Sequence, residues 1–370
     1  MTQDSRKIVW VLGAGFSKFL GAPLLGELLT RNASQRVKAA YPDMVAGERT
    51  HDMSIVASVY EAGKKDGQWS HAEEFLERLD WALDSPTAGR VLDAWSRDAT
   101  TRGLHGMPQT GTEALRNNAR RMLAAECCLF LKDANPELER WAPYSVWVRT
   151  LNPEDAILTF NYDRVLEILA PMRSAGMSVP IPSELAAPRI GPLALKMHGS
   201  VDWILRDGVI SRSARVGSGA DSGTENDAAL FCEPSEFALA TPGPLKYRMT
   251  RAGGPLSPIW LSAEQQMLAA TAVVFVGYRM PPTDASTTQW MIDVLRRRVD
   301  AIRSKAGVSG WCLPVHTVLG PNTQNEHCTR LAGLLQELDP AIEHRPWAMG
   351  AEDFLGLVPR DTLLTNTAFI

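Results

Sequence analysis

The chain has 370 residues, which is enough to bury a full hydrophobic core, and its 45% hydrophobic and 22% charged residues argue against a disordered or fibrous protein. Its 38 basic and 42 acidic residues leave a formal net charge of −4, so we predict no direct binding to nucleic acid. No apolar run reaches the length of a membrane span, and none resembles a secretory signal, so we expect a soluble cytoplasmic protein without membrane contact.

The first predicted element is an apolar strand at residues 8 to 12, which runs directly into a Gly-x-Gly turn and a helix beginning near Phe16 or Ser17. Gly13 permits a tight turn, Gly15 lets the backbone approach an anion, and the helix directs free N–H groups at phosphates. This pattern predicts a dinucleotide site. Lys18 stands where the full fingerprint has its third glycine, so a Gly-rich turn without a ligand is the alternative. The turn comprises Gly13, Ala14, Gly15, Phe16 and Ser17.

A helical region follows. The leucines at positions 24, 25, 28 and 29 recur at helical spacing and predict a helix that packs against a sheet. Between residues 45 and 149 the apolar stripes also have helical spacing. We therefore predict a Rossmann-like domain formed by residues 1–44 and 150–370, with residues 45–149 as a mostly helical insertion. The two clearest stripes are Phe75, Leu76, Leu79 and Leu83, and Met122, Leu123, Leu129 and Phe130.

Strands and helices alternate in the rest of the chain. Strands are predicted at residues 156–160, 193–197, 272–276 and 315–319, with helices at 165–169 and 285–303. Residues 207–228 are rich in Gly, Ser, Asp and Asn and predict a surface loop. The alternation predicts an α/β fold with a mostly parallel sheet and helices on both faces. Ligands of such sheets bind beyond the carboxyl ends of the strands.

Polar side chains follow two of these strands. Asn161 and Asp163 come after the strand at 156–160, and His198 comes after the strand at 193–197. Asn and Asp are also preferred helix caps, so Asn161 and Asp163 could cap the next helix without losing a role in binding. His198 could be a hydrogen-bonded structural residue. Their shared position at strand ends predicts one composite site.

Four motifs in this order resemble the sirtuin superfamily, over residues 7 to 30 and 155 to 325. The first is the Gly-rich turn already described, and the second is Asn161-Tyr162-Asp163. The third runs from Lys196 to Trp203 and contains His198-Gly199-Ser200. The fourth is Val276-Gly277-Tyr278-Arg279-Met280-Pro281-Pro282-Thr283-Asp284.

The resemblance implies a role for each motif in binding and cleaving NAD. The Gly-rich turn would hold the diphosphate, Asn161 and Asp163 would face the nicotinamide and its ribose, and His198 would be the catalytic histidine. Gly277, Tyr278 and Arg279 would also contact the dinucleotide. Arg279 replaces a small hydroxyl residue, which could add a phosphate contact or crowd the pocket.

The chain departs from sirtuin deacylases because it lacks their four zinc-binding cysteines after the histidine, and its five cysteines contain no Cys-x-x-Cys pair. We therefore expect no zinc and no other metal. The departure favours a resemblance to the sirtuin-like NAD hydrolases of bacterial anti-phage defence, in which water is the nucleophile. Members of that group commonly form homo-oligomers or act with a hexameric ATPase or a short Argonaute. The alternatives are a sensor that binds NAD or ADP-ribose without cleaving it and, less favoured, a protein deacylase.

Overall fold

The computed structural model describes residues 6–41, 49–101, 111–132, 134–213, 232–281, 284–306, 312–324 and 326–365. The strands in chain order are β1 (Ile8–Leu12), β2 (Ala156–Thr159), β3 (Leu193–Lys196), β4 (Gly199–Arg206), β5 (Val209–Arg212), β6 (Phe237–Leu239), β7 (Ala272–Val276), β8 (Leu313–Val318) and β9 (Ile342–Trp347). The helices in chain order are α1 (Ala14–Ser17), α2 (Arg31–Ala40), α3 (Arg49–Lys65), α4 (Ala72–Asp84), α5 (Pro86–Thr101), α6 (Thr112–Leu129), α7 (Ala142–Thr150), α8 (Val165–Leu169), α9 (Pro244–Thr250), α10 (Ser257–Leu268), α11 (Ala285–Ala306), α12 (Glu326–Leu338), α13 (Ala351–Leu357) and α14 (Arg360–Leu364).

Six strands form one parallel sheet in the order β3-β2-β1-β7-β8-β9. Renumbered within the sheet, this is the order 3-2-1-4-5-6 of the Rossmann fold. The predicted α/β fold with a mostly parallel sheet is confirmed. The strand order reverses between β1 and β7, where Leu12 lies opposite Val276. The loops that follow these two strands therefore border the crevice in which such sheets bind ligands.

The sheet is buried on both faces because its strands alternate between two hydrophobic clusters. On β1, Val9 and Val11 pack with α10, α11 and α12, whereas Ile8, Trp10 and Leu12 pack with α7, α8, α13 and α14. Every residue of β1, β2, β3, β7 and β8 is buried. Burial on both faces explains why these strands have continuous apolar runs in the sequence and could be predicted from it.

A third hydrophobic cluster lies among α2, α3, α4 and α6, and the predicted helical insertion is confirmed as helical. Two strands of a small antiparallel sheet, of order β5-β4-β6, contribute Val201, Phe237 and Leu239 to this cluster. The helix α7, near the end of the predicted insertion, packs instead on the large sheet through Tyr144 and Trp147. The division into two domains stays a prediction.

Two local predictions are wrong. The segment with leucines at 24, 25, 28 and 29 contains only a 3-10 turn at Leu25–Glu27, and Leu29 has a φ of 59°, so no α-helix forms there. The helix begins at Arg31 because the Thr30 hydroxyl caps it by accepting from the Ala33 N–H at 3.2 Å. The predicted loop at 207–228 contains strand β5, and its residues 214–228 lie outside the described residues.

Candidate functional site

The Gly-rich turn after β1 lies against the loop after β7. The N–H of Gly13 donates to Val276 at 3.0 Å, and the N–H of Gly15 donates to Gly277 at 3.2 Å. A Cβ at Gly13 would lie 2.6 Å from the Gly277 oxygen, and one at Gly15 would lie 2.7 Å from the Gly277 Cα. These glycines are therefore required for backbone contact at the point of strand-order reversal. The helix that follows, α1, has four residues and begins at Ala14, two residues earlier than the first predicted position.

The residues predicted after β2 form a hydrogen-bond network with this turn. The Asn161 side-chain amide donates to the Gly13 carbonyl at 3.0 Å and to Oγ of Ser17 at 3.2 Å. The Ser17 hydroxyl donates to Asp163 at 2.8 Å, and the second Asp163 oxygen accepts from the N–H of Val165 at 3.1 Å. The structure thus joins three predicted site residues, Ser17, Asn161 and Asp163. Asp163 is not the N-cap of the following helix, which is Arg164, but its bond to Val165 satisfies the first N–H of α8.

A buried lysine supports the loop that carries Asp163. Lys196, at the end of β3, is fully buried; its ammonium donates to the Asp163 carbonyl and, at 3.1 Å, to a carboxylate oxygen of Glu167. Burial raises the pKa of the Asp163 carboxyl, although Lys196 and hydrogen bonds from Val165 and Ser17 act in the opposite direction. Burial also raises the pKa of Glu167, again against the effect of Lys196. The ammonium is therefore the positive charge that holds two buried acidic groups beneath the site.

His198 follows β3 and lies among aromatic rings. Its ring centroid is 5.0 Å from that of Phe160, 6.1 Å from that of Tyr162 and 6.4 Å from that of Trp260. Burial and the positive charge of Lys246 lower the pKa of His198 to about 3, although Asp284 and a hydrogen bond with the Phe160 backbone raise it. The imidazole is uncharged at neutral pH.

A carboxylate that we did not predict lies beside this imidazole. An oxygen of Asp284, immediately before α11, is 3.6 Å from Nε2 of His198 and 2.7 Å from the ammonium nitrogen of Lys246. Burial opposes the ionisation of Asp284, but the positive charge of Lys246 and hydrogen bonds from Lys246 and Thr287 hold its pKa below the usual value. Because His198 is uncharged, Lys246 is the cation that keeps Asp284 ionised at neutral pH. The sequence placed Asp284 in the fourth motif without a role, and nothing in the sequence singled out Lys246.

The helical region contacts the same site through α9. Asp80 of α4 accepts from the backbone N–H of Leu245 at 2.5 Å and pairs with Arg116 of α6 at 3.2 Å. Leu245 directly precedes Lys246, so the ion pair with Asp284 is anchored to two helices of that region. Asp80 is 2% exposed, so this anchor is buried.

The other predicted site residues include both buried and exposed side chains. Phe16 is a core residue whose ring packs edge-on against Tyr144 with centroids 5.2 Å apart, so only its backbone faces the turn. Tyr278 is buried and stacks on Phe160 at 4.3 Å, whereas Arg279 is exposed. Pro282 and Thr283 of the fourth motif lie outside the described residues.

Asn161 and Asp163 are each 9% exposed, His198 is 6% exposed and Asp284 is 4% exposed, so these four side chains are buried, whereas Ala14 of the Gly-rich turn is exposed. A cavity of about 510 Å³ lies elsewhere, between α12 and the edge strand β9. Within the described ranges, no group of three or more His, Cys, Asp or Glu side chains is placed to hold a metal ion. The absence of zinc stays a prediction. None of the helices in the described part of the chain is long and apolar enough to cross a membrane.

A scan against protein-family models gave no match to this chain, and a search of the curated proteins gave none either.

Proposed function

We propose that this protein hydrolyses NAD at the bond between nicotinamide and ribose, giving nicotinamide and ADP-ribose. One observation carries the proposal: the polar groups that follow β1 and β2 are buried and hydrogen-bonded to each other where the strand order reverses, and His198 is buried after the neighbouring strand β3. That position is where Rossmann-like sheets bind dinucleotides. The ordered motifs that resemble the sirtuin superfamily add support from the sequence.

The proposed reaction requires an uncharged acceptor and a nearby anion. Cleavage of the nicotinamide bond builds positive charge on the ribose, so a protonated imidazole in the site would oppose it. His198 is uncharged at neutral pH because burial and Lys246 lower its pKa to about 3. We assign His198 to the attacking water. Asn161 positions the ribose and the turn through its bonds to Gly13 and Ser17.

The burial of these side chains also bears on regulation. Because Asn161, Asp163 and His198 are each less than a tenth exposed, NAD reaches them only if the structure opens. An NAD hydrolase without control would deplete its host, so we propose that this is a resting form released by a trigger, as expected for anti-phage defence. A homo-oligomer, a hexameric ATPase or a short Argonaute would be the partner that opens it.

A second function is favoured by one specific observation. A histidine with a pKa of about 3 is a weak base, and this favours a module that binds NAD or ADP-ribose as a signal without cleaving it. The two functions differ in one measurable product. The hydrolase releases nicotinamide, whereas the sensor binds the dinucleotide and releases none.

The test is incubation of the purified protein with NAD, alone and with proteins encoded beside it, while nicotinamide and ADP-ribose are followed by chromatography. We expect release by the wild type and by the matched controls Asn135→Ala and His327→Ala, which change residues outside the site. Asn161→Ala and His198→Ala should release none while keeping a cooperative unfolding transition. Full activity of His198→Ala would refute its assigned role, and NAD binding without release would favour the sensor.

A further inference from the structure

Among the described residues, two neighbouring buried side chains, His198 and Asp284, each have a polar atom without a hydrogen-bond partner. Within the part of the chain that the structure describes, Nε2 of His198 and Oδ1 of Asp284 have no hydrogen-bond partner. The two side chains are 8% and 5% exposed, and the other Asp284 oxygen is 3.6 Å from Nε2. Buried polar atoms without partners are rare because each carries a desolvation cost. The pair therefore requires a donor.

The protonation of the two groups defines that donor. His198 has a hydrogen bond with the Phe160 backbone, and since Nε2 has no partner, we assign this bond to Nδ1–H and the acceptor lone pair to Nε2. Asp284 is ionised, because Lys246 lies 2.7 Å from its Oδ2 atom. Neither group offers a proton to the other. A molecule that satisfies both must donate two hydrogen bonds, and water is the smallest that can.

We infer that one water molecule donates to Nε2 of His198 and to Oδ1 of Asp284, and that this water is the nucleophile of the reaction. The inference rests on the NAD hydrolysis proposed above. In the step, the water oxygen forms a bond to C1′ of the ribose while the C1′–nitrogen bond breaks and its electron pair passes to nicotinamide. Once the C1′–oxygen bond has formed, one proton of the attacking oxygen passes to Nε2 of His198 and then to solvent. Asp284 stabilises the positive charge that develops on the ribose.

Competition with methanol tests this arrangement. Water can donate to both acceptors, whereas methanol has a single O–H. At equal concentrations of water and methanol, the wild type should therefore form far more ADP-ribose than the methyl glycoside of ADP-ribose. Removing one acceptor in Asp284→Ala should lower the rate of hydrolysis by about 10²-fold or more. It should also raise the ratio of methanolysis to hydrolysis by about tenfold, since only one donor is then used. An unchanged ratio in Asp284→Ala would overturn the inference, and Asp339→Asn, whose ion pair with Arg303 lies outside the site, is the matched control.

A second variant keeps the carboxylate and changes its charge state. In Lys246→Met, the buried Asp284 loses its cation, so its pKa should rise and activity should appear only at higher pH than in the wild type. A pH profile that does not move would contradict the role of Asp284. The groups that face Asp284 are His198, Lys246, Thr287, Tyr278 and Tyr162.

A crystal structure of the wild type provides a test that needs no turnover. We expect a solvent oxygen within about 3.2 Å of both Nε2 of His198 and Oδ1 of Asp284. Direct contact between the two side chains, with no oxygen between them, would overturn the inference even in an active enzyme. If the protein held this water but never released nicotinamide, the proposed function would fail and the water could not be its nucleophile.

Discussion

The side-chain amide of Asn161 donates to the carbonyl oxygen of Gly13 at 3.0 Å, which ties the loop after β2 to the turn after β1. The same amide donates to Ser17 at 3.2 Å. In Asn161→Asp both donors are lost and a carboxylate faces the Gly13 carbonyl. We expect this variant to lower the free energy of unfolding by about 2–3 kcal/mol, and Asn161→Ala by about 1–2 kcal/mol, because the Ala variant adds no charge. Urea unfolding measures both values.

The matched control for Asn161→Asp is Asn135→Asp, at an exposed position before α7. We expect a change within about 0.5 kcal/mol there, as for most surface substitutions. If Asn161→Asp were no more costly than this control, the amide bonds to Gly13 and Ser17 would contribute nothing to stability.

Two glycine substitutions should have opposite effects on stability, because only one of the two glycines lies at the contact between the loops after β1 and β7. Gly15→Ala places a Cβ 2.7 Å from the Gly277 Cα, so the backbone must shift, and we expect a loss of about 2 kcal/mol or more. Gly333, inside α12, has nothing within 4 Å of its Cβ position. Gly333→Ala should stabilise the protein by about 0.5–1 kcal/mol through helix propensity. Thermal unfolding of both variants checks the comparison, and equal effects would contradict it.

The fold was largely predictable because the buried parallel strands leave continuous apolar runs in the sequence. The strands that we missed are β4, β5, β6 and β9. The three apolar residues of β6 are too few to predict a strand, whereas β9 contains Glu343, His344 and Arg345, and most of its residues are only partly buried. The leucine segment failed as a predicted helix because its leucines lie on irregular backbone between Gly21, with a φ of 103°, and the Thr30 cap. Helical spacing of leucines alone does not distinguish an α-helix from an irregular segment such as this one.

The candidate site was predictable where residues follow strands and not where distant elements converge. Asn161, Asp163 and His198 could be named as candidates because each follows a predicted strand of the large sheet. Asp284 was missed because it belongs to the start of a helix, and Lys246 because α9 reaches the site only through tertiary contacts with Asp80. Pairings between residues so far apart in sequence depend on chain folding that no local pattern contains.

The ion pair of Lys196 with Glu167 predicts strong coupling. Lys196 is fully buried and lies 3.1 Å from the Glu167 carboxylate, so Lys196→Met leaves a buried acidic group and the Asp163 carbonyl without their donor. We expect a loss of about 3–5 kcal/mol. In the double variant Lys196→Met/Glu167→Leu the unpaired acid is gone, and at least about 1 kcal/mol should be recovered. Urea unfolding of the two single variants and the double variant measures this coupling.

The exposed pair of Arg206 with Glu236 is the control for that cycle. Its atoms are 2.8 Å apart, but the arginine side chain is 63% exposed, so Arg206→Met should change the free energy of unfolding far less than Lys196→Met. If Lys196→Met lowered the free energy of unfolding by no more than Arg206→Met does, burial would not make the Lys196 pair more stabilising than an exposed pair.

The buried His316 predicts how stability depends on pH. Its Nε2 lies 3.1 Å from the Leu363 carbonyl, and its Nδ1 accepts from the Trp347 indole at 3.0 Å, so the ring is held in its neutral form. Burial lowers the pKa of His316 to about 4, against about 6.5 in the unfolded chain. Between these values the unfolded chain binds a proton that the folded ring does not. The free energy of unfolding should therefore fall as pH decreases from about 6.5 to about 4, with His316 contributing up to about 3 kcal/mol. In His316→Gln this contribution is absent, so urea unfolding across that range should show a shallower decrease than in the wild type, and parallel curves would exclude His316 as its source.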